Sequence, residues 1–487
     1  MRNFCLKISL ILSALVFIFV ISCRDNKFND NTDFRLSFSQ DTLRFDTVFT
    51  SYGSVTMMFT VRNKSKTAVK INEISLHNGS NSPFRLNIDG DTALVVKNKI
   101  IRAKDSIFVF VKVTIDPDNE SNPFEVADQI VFTLEHTSQN VELRAFGQNA
   151  YYHLPEGYIY GINENGDTAY KLPFSIADCS TAWAIDKPHI IYGYLVVYTG
   201  DQLVLNAGAR VYLAPEAGIW VYNGGSLKCN GTLGNEVMLQ GMRLDHDYFD
   251  MTGQWDRIWL SAGSIDNQMD YTIVKNGRIG LLVDTNYNSN PTLTIKNSIV
   301  DNMQYYGIWG RGAKIRGENL LVSNCGKNIT ALELGGDYSF EFCTFVNYFR
   351  QYGINRTTPS VVLNDYYSAG NHLEERPLNA SFKSCIIYGN QQEEISLDLK
   401  VQNSSYNFNY CLLKSSTLQN NTHHNNCLFN SDPKFNDIEN RDFDITNVTS
   451  AAFGKGESGY GSIVFDLKGR SRAYYPTIGC YECIPVR

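Results

Sequence analysis

One short pattern of polar and apolar positions recurs between Tyr271 and Asn430: a polar residue, a Cys, Ser or Thr, two mostly apolar residues and a polar close. It stands at Tyr271-Thr272-Ile273-Val274-Lys275-Asn276 and at Asn297-Ser298-Ile299-Val300-Asp301-Asn302. Asn319-Leu320-Leu321-Val322-Ser323-Asn324 is a looser copy, and the phrase returns around Cys343, Cys385, Cys411 and Cys427. Counted from Thr272, Ser298, Leu320 and Cys343, the steps are 26, 22 and 23 residues. A repeat of that length describes a solenoid whose units bury their apolar face only by stacking. Alternate residues of a strand share a face. Thr272/Val274, Ser298/Val300, Leu320/Val322 and Cys343/Phe345 are therefore expected to point inward, one coil of a parallel β-helix per repeat. The closers Asn276, Asn302, Asn324, Asn347 and Asn390 fit an asparagine ladder at a bend, where Asn tolerates the left-handed region, or ordinary solvated turns.

Upstream the pattern differs. Short alternating segments run at Thr42–Phe49, Thr56–Val61, Val69–Leu76, Phe84–Ile88, Ile107–Ile115, Ile130–Leu134 and Val141–Phe146. Turn residues such as Asn78-Gly79, Asp89-Gly90 and Asp116-Pro117-Asp118 separate them. Seven such strands predict an immunoglobulin-like β-sandwich over residues 36–150. No Cys lies between Cys23 and Cys179, so aliphatic and Phe side chains must fill its core unaided. Residues 151–190, rich in Tyr and Pro, read as a linker or N-terminal cap, and the helix itself is assigned to 191–487. From Leu195 short apolar strands alternate with turns at Asn206-Ala207-Gly208 and Asn223-Gly224-Gly225.

The first residues carry an address. Met1-Arg2-Asn3 with Lys7 precedes an apolar run ending in Val20-Ile21-Ser22-Cys23, the layout of a signal peptide over residues 1–22. The ending resembles the lipobox of bacterial lipoproteins. That resemblance implies a diacylglycerol-bearing Cys23, a polar tether over 23–35, and membrane attachment in the cell envelope, the outer membrane preferred.

A second resemblance spans nearly the whole mature chain. Leu203 to Gly231, the Gly253-Gln254-Trp255-Asp256-Arg257-Ile258 segment, Asp432-Pro433-Lys434-Phe435, and Asp466-Leu467-Lys468-Gly469-Arg470-Ser471-Arg472 with Pro476-Thr477-Ile478-Gly479-Cys480-Tyr481-Glu482 are similar to right-handed β-helix repeat lipoproteins of the pectate-lyase-like superfamily. Cys480 stands where Ala is usual, and the Pro expected after Ser450 is missing. The resemblance implies an all-β chain: an N-terminal Ig-like sandwich, then a right-handed single-stranded parallel β-helix ending in a closing coil. The superfamily holds lyases, hydrolases, adhesins and scaffolds, so fold does not choose among activities.

Composition narrows the partners. Without residues 1–22 the balance is 41 basic to 50 acidic residues, which disfavours nucleic acid. Of eleven cysteines, removal of Cys5 and Cys23 leaves nine, so at least one thiol is unpaired within the chain. Strand parity reads Cys343, Cys385, Cys411 and Cys427 as small core residues, although an oxidising compartment also permits disulfides. Cys480-Tyr481-Glu482-Cys483 and His423-His424 lack the second ligand pair of a zinc site, and no cofactor is expected. Asp41-Thr42-Leu43, Asp46-Thr47-Val48, Asp91-Thr92-Ala93, Asp105-Ser106-Ile107 and Asp167-Thr168-Ala169 match an Asp-Ser/Thr-aliphatic pattern of O-glycosylation in some Gram-negative bacteria.

Two functional expectations follow. Tyr305, Tyr306, Trp309 and Arg311 are candidate glycan contacts of a non-catalytic envelope lipoprotein that binds polysaccharide or another envelope protein. The alternative is a uronate polysaccharide lyase, which needs a basic residue for the proton and cations, including Ca²⁺, for the carboxylate. Arg311, Lys314 and Arg316 would supply the base, and Asp245, Asp247 and Asp250 the acidic loop. Paired hydrolase carboxylates, a nucleophile elbow and a phosphate loop are absent from the sequence. Glu374-Glu375 and Glu393-Glu394 are neighbours that a strand would face apart.

Overall fold

A computed structural model describes residues 28–49, 56–115, 124–162, 168–245, 248–285, 289–351, 354–369, 372–459, 461 and 463–484. The leader, Cys23 and Asp247 lie outside these. The chain divides into two compact units, 1–149 and 150–487.

In the first unit two sheets enclose one core. One sheet holds, in spatial order, Ser37–Phe38, Met57–Arg62, Ser106–Val113 and Phe84–Ile88. The other holds Thr42–Phe49, Ser138–Gln148, Phe124–Thr133, Val69–Leu76 and Val95–Ile101. Strict alternation does the work: Ile107, Val109, Val111 and Val113 point in, Phe108 and Phe110 out. Phe59, Phe84 and Phe132 occupy the centre. Val95–Ile101 was not expected from the sequence. It is an edge strand whose alternation breaks at Asn98, in the left-handed region at φ 57°. The described part of the expected tether, 28–35, is docked: Phe28 bridges Ala68, and Asn29 N donates to Ala68 O at 2.8 Å.

The second unit is a parallel β-helix of three sheets. Among the described residues these have eleven, ten and nine strands, and a typical coil gives one strand to each in turn. Tyr306–Arg311 of the second sheet, for instance, lies between Ile279–Asp284 and Asn328–Glu333, in parallel register. The described residues between 151 and 176 already belong to it. Tyr151–His153 joins the first sheet, and the antiparallel pair Gly157–Ile162/Thr168–Ile176 starts the second.

The phrase read from the sequence is the strand of the first sheet with the one or two residues before it, the first of which makes the bend. That residue bends the chain from the third sheet into the first with positive φ: Tyr271, Asn297, Asn319, Phe342, Ser384, Tyr410 and Asn426. The inward pairs fall as parity requires, with Val274, Val300, Val322 and Phe345 fully buried. Cys343, Cys385, Cys411 and Cys427 stack in the same core as free thiols, donating to backbone carbonyls such as Phe340 O and Phe382 O at 3.4 Å. Beside them Phe340, Phe382, Phe408 and His424 form a stacked column with centroids 5.0–5.8 Å apart. Adjacent glutamates do diverge: Glu394 is buried against Arg356, while Glu393 accepts from Ser415 and Ser416.

The closing coil expected after Asp432 is a strap instead. Among the described residues no segment past Phe429 joins the three sheets. Phe443, Ile445, Leu467, Ile478, Cys480 and Tyr481 pack on the outward side of the first sheet, over Leu321, Val346, Ile386, Tyr388 and Leu412. Those outward positions are apolar, and each covered side chain of this size is worth about 1.5–3 kcal/mol. The terminal motif is the clip. Asp466 accepts from Glu482 N, Arg470 and Lys468 N. Arg472 donates to Asn319 Oδ1 at 2.6 Å and sits 4.0 Å over the Phe342 ring. Cys480 N reaches Thr344 Oγ1 at 3.0 Å.

Candidate functional site

The corner between the first and second sheets varies in length. Three successive coils turn it with Asn276-Gly277-Arg278, Gln304-Tyr305 and Gly326-Lys327. On either side, the described parts of 242–256 and 348–360 leave the coil at the same corner. Long loops beside short corners leave a groove. Its floor is Gln304, Tyr305, Gly326 and Lys327; one wall is Met251 and Thr252, the other Phe349 and Gln351. The cavity measures about 570 Å³. Thr252 Oγ1 donates to Gln351 Oε1 at 2.6 Å, joining the two walls. A side chain at Gly326 would bring its Cβ to 2.3 Å from Gln304 O, so the floor needs glycine there.

Both walls are anchored. Asn302 Nδ2 donates to Asn276 Oδ1 at 2.8 Å, and Asn324 Nδ2 to Asn302 Oδ1 at 3.3 Å. The same amides hold the first wall: Asn276 donates to Phe249 O at 2.7 Å and Asn302 to Asp250 O at 2.8 Å. Of the two expectations for these closers, the structure selects the ladder at Asn276, Asn302 and Asn324. The other wall rests on a fully buried pair. Arg356 donates to Glu394 at 2.6 and 2.9 Å and to Asn347 O at 3.0 Å. Glu394 also accepts from Ser360 N, Ser360 Oγ and Gln391 N.

The groove carries aromatic and amide chemistry. Tyr305 is 46% exposed, so its ring is free to meet a ligand. Among the described residues no Asp or Glu lines the groove. Lys327 donates to the Tyr306 phenol oxygen and lies 4.9 Å over that ring. A smaller cleft of about 120 Å³ beside it is charged, but its charges are paired: Arg441 with Asp250, Arg350 with Glu439 at 3.2 Å. Burial pushes the nearby Asp301 carboxyl up, opposed by Arg441 at 3.5 Å.

The residues singled out in the sequence scatter. Tyr305 alone lines the groove. Tyr306, Trp309 and Arg311 belong to the second sheet. Tyr306 is buried and stacks on Trp309 at 4.8 Å, whose indole N–H donates to Glu333 at 2.8 Å. Arg311 grips Asp284 through two bonds of 2.7 and 2.9 Å. Lys314 and Arg316 lie on the third sheet and share Asp337, at 3.5 and 2.7 Å. Asp245 is held by Arg243 at 3.1 Å, and Asp250 by Arg441. The basic cluster and the described residues of the acidic loop, Asp245 and Asp250, therefore do not meet.

Gln304, Lys327, Met251, Thr252, Phe349 and Gln351 escaped the sequence reading. A signal existed: 42 residues separate Cys343 from Cys385, against 22 to 26 between earlier phrases, so an insertion had to leave the coil there.

No family model and no curated protein matches the chain. Among solved structures it is similar to the catalytic unit of a GH87 α-1,3-glucanase from Streptomyces thermodiastaticus, at 9% identity, TM-score 0.27, covering 76% of this chain and 75% of that one. A family 123 glycoside hydrolase from Clostridium perfringens gives 9% identity and TM-score 0.18 over 25% of this chain and 31% of that one. A PapD-like domain of human CEP192 gives 12% identity and TM-score 0.17 over 26% and 94%. Likenesses this slight carry no functional argument.

Proposed function

We propose that the chain is a non-catalytic glycan-binding protein of the cell envelope, and that the groove around Tyr305 is its contact surface. The observation that carries this is the groove's lining: an exposed phenol ring, Phe349, two primary amides, a hydroxyl and an ammonium, with no carboxylate among the described residues. Sugar rings offer an apolar C–H face to an aromatic ring and hydroxyls to amides, which donate and accept at once. Glycoside hydrolysis needs two carboxylates flanking the bond. Lyase chemistry needs a free base and free cations, whereas Arg311, Lys314 and Arg316 are each committed to a carboxylate. A Ca²⁺ ion for that chemistry would have to displace Arg243 from Asp245 and Arg441 from Asp250, so the described residues do not fit one.

The leader and Cys23 support placement at a membrane by acyl chains, with the sandwich as spacer. Palmitate labelling that survives Cys23→Ala would refute the anchor. For the groove, the chain from Asp25 onward is assayed against neutral and uronate polysaccharides, with and without Ca²⁺. Retention without cleavage, lost in Tyr305→Ala, is expected. Unsaturated products lost in Arg311→Ala or Arg316→Ala would establish the lyase instead.

A further inference from the structure

We propose that Thr92 is an O-glycosylation acceptor. Five Asp-Ser/Thr-aliphatic triplets occur in the chain, and the fold separates them. Thr42 is half-buried at the start of Thr42–Phe49, opposite Glu142, and Ser106 is half-buried at the start of Ser106–Val113, opposite Arg62. The side chains of Thr47 and Thr168 lie outside those described, and both residues belong to strands. Only Asp91-Thr92-Ala93, among the described side chains, is exposed at all three positions.

Local geometry presents Thr92 outward. Ile88 and Asp91 exchange backbone bonds of 2.8 and 3.1 Å across a tight turn, with Asp89 at φ 52° and Gly90 at φ 92°. Asp91 Oδ1 then accepts from Ala93 N at 3.0 Å, an Asx turn with Thr92 at its apex. Thr92 and Ala93 belong to no strand, and no hydrogen bond engages the Thr92 hydroxyl among the described residues. A transferase must wrap its acceptor peptide, which a strand in a ladder cannot allow and an exposed turn can. The co-reactant is a glycosyl phosphate donor. Thr92 Oγ1 bonds to the anomeric carbon, the bond from that carbon to the donor's phosphate oxygen breaks, and its electron pair leaves with the phosphate. The hydroxyl proton passes to the transferase's base.

The test is peptide mapping of the full chain purified from its native cells. Trypsin releases Thr92 in the peptide Leu86–Lys97, Thr42 in Leu36–Arg44 and Ser106 in Asp105–Lys112. We expect Leu86–Lys97 to carry whole glycosyl increments, retained in Thr92→Ser and lost in Thr92→Val and in Asp91→Ala. Both positions are exposed, so the variants keep the fold, checked by circular dichroism. A bare Leu86–Lys97, or glycosyl mass only on the other two peptides, overturns the proposal.

Discussion

Glu394→Gln should loosen one wall of the groove. In the native protein Arg356 and Glu394 are both fully buried, and the carboxylate accepts five hydrogen bonds, two of them from the guanidinium. Removing its charge leaves Arg356 buried and unbalanced, and breaking such a pair from one side costs about 3–5 kcal/mol. Spread over a unit of this size, that lowers Tm by only several degrees, roughly 4–7 °C from the usual entropy per residue. The local effect is larger, because the same network carries residues 348–360, including Phe349 and Gln351. Hydrogen exchange should accelerate there before it does in the coil core, and glycan retention should weaken. Arg356→Met with Glu394→Leu, which removes both charges, should recover most of the stability. If Glu394→Gln leaves Tm within a degree and exchange in 348–360 unchanged, the pair does not hold the wall.

Three further outcomes follow. Asn302→Ala removes the middle rung of the asparagine ladder and strands Asp250 O; a loss of about 1–3 kcal/mol is expected in chemical denaturation, with faster exchange in 248–252. Gly326→Ala should reduce glycan affinity while leaving far-UV circular dichroism intact, since the new Cβ meets Gln304 O at the groove floor. Acid should destabilise the N-terminal end of the helix. Burial, then His189, lower the His153 pKa from 6.5 to about 4, against Asp178. A lowered imidazole means the unfolded chain takes up the proton first, so stability falls as pH drops from about 6.5 to about 4, by at most about 3 kcal/mol and less after solvent screening. His153→Phe, stacked as His153 is on Trp183 at 4.2 Å, should flatten that dependence in a pH series of thermal melts.

The coil was legible because a strand's parity is unforgiving. Moving Val300 or Phe345 by one position would turn it out of the coil's interior, so the phrase around Thr272, Ser298 and Cys343 could mean little else. The same parity identified the stacked thiols as core. What covers the first sheet was not legible. Leu321, Ile386 and Leu412 alternate with inward residues and are apolar too, a sign that both faces are buried, yet nothing local names the strap as the cover. The motif around Asp466 and Glu482 was visible as a terminal signature, and its physical role as a clip needed the contacts with Asn319 and Phe342. The candidate site was legible only at Tyr305. Charge drew the eye to Arg311, Lys314 and Arg316, but a side chain's charge says nothing of its partner, and Asp284 and Asp337 each lie a coil away. The groove depends on differences in corner length between neighbouring coils, which residue chemistry alone does not express.

Calorimetric titration with a polysaccharide that the wild-type protein retains tests the central claim most directly, comparing wild type with Tyr305→Ala and Trp309→Ala. Loss of an aromatic contact at the groove should cost roughly 1 kcal/mol or more, at least about a fivefold weaker Kd in Tyr305→Ala, with Trp309→Ala close to wild type. Equal affinity in Tyr305→Ala, with the loss falling on Trp309→Ala, would place recognition on the second sheet and contradict the account.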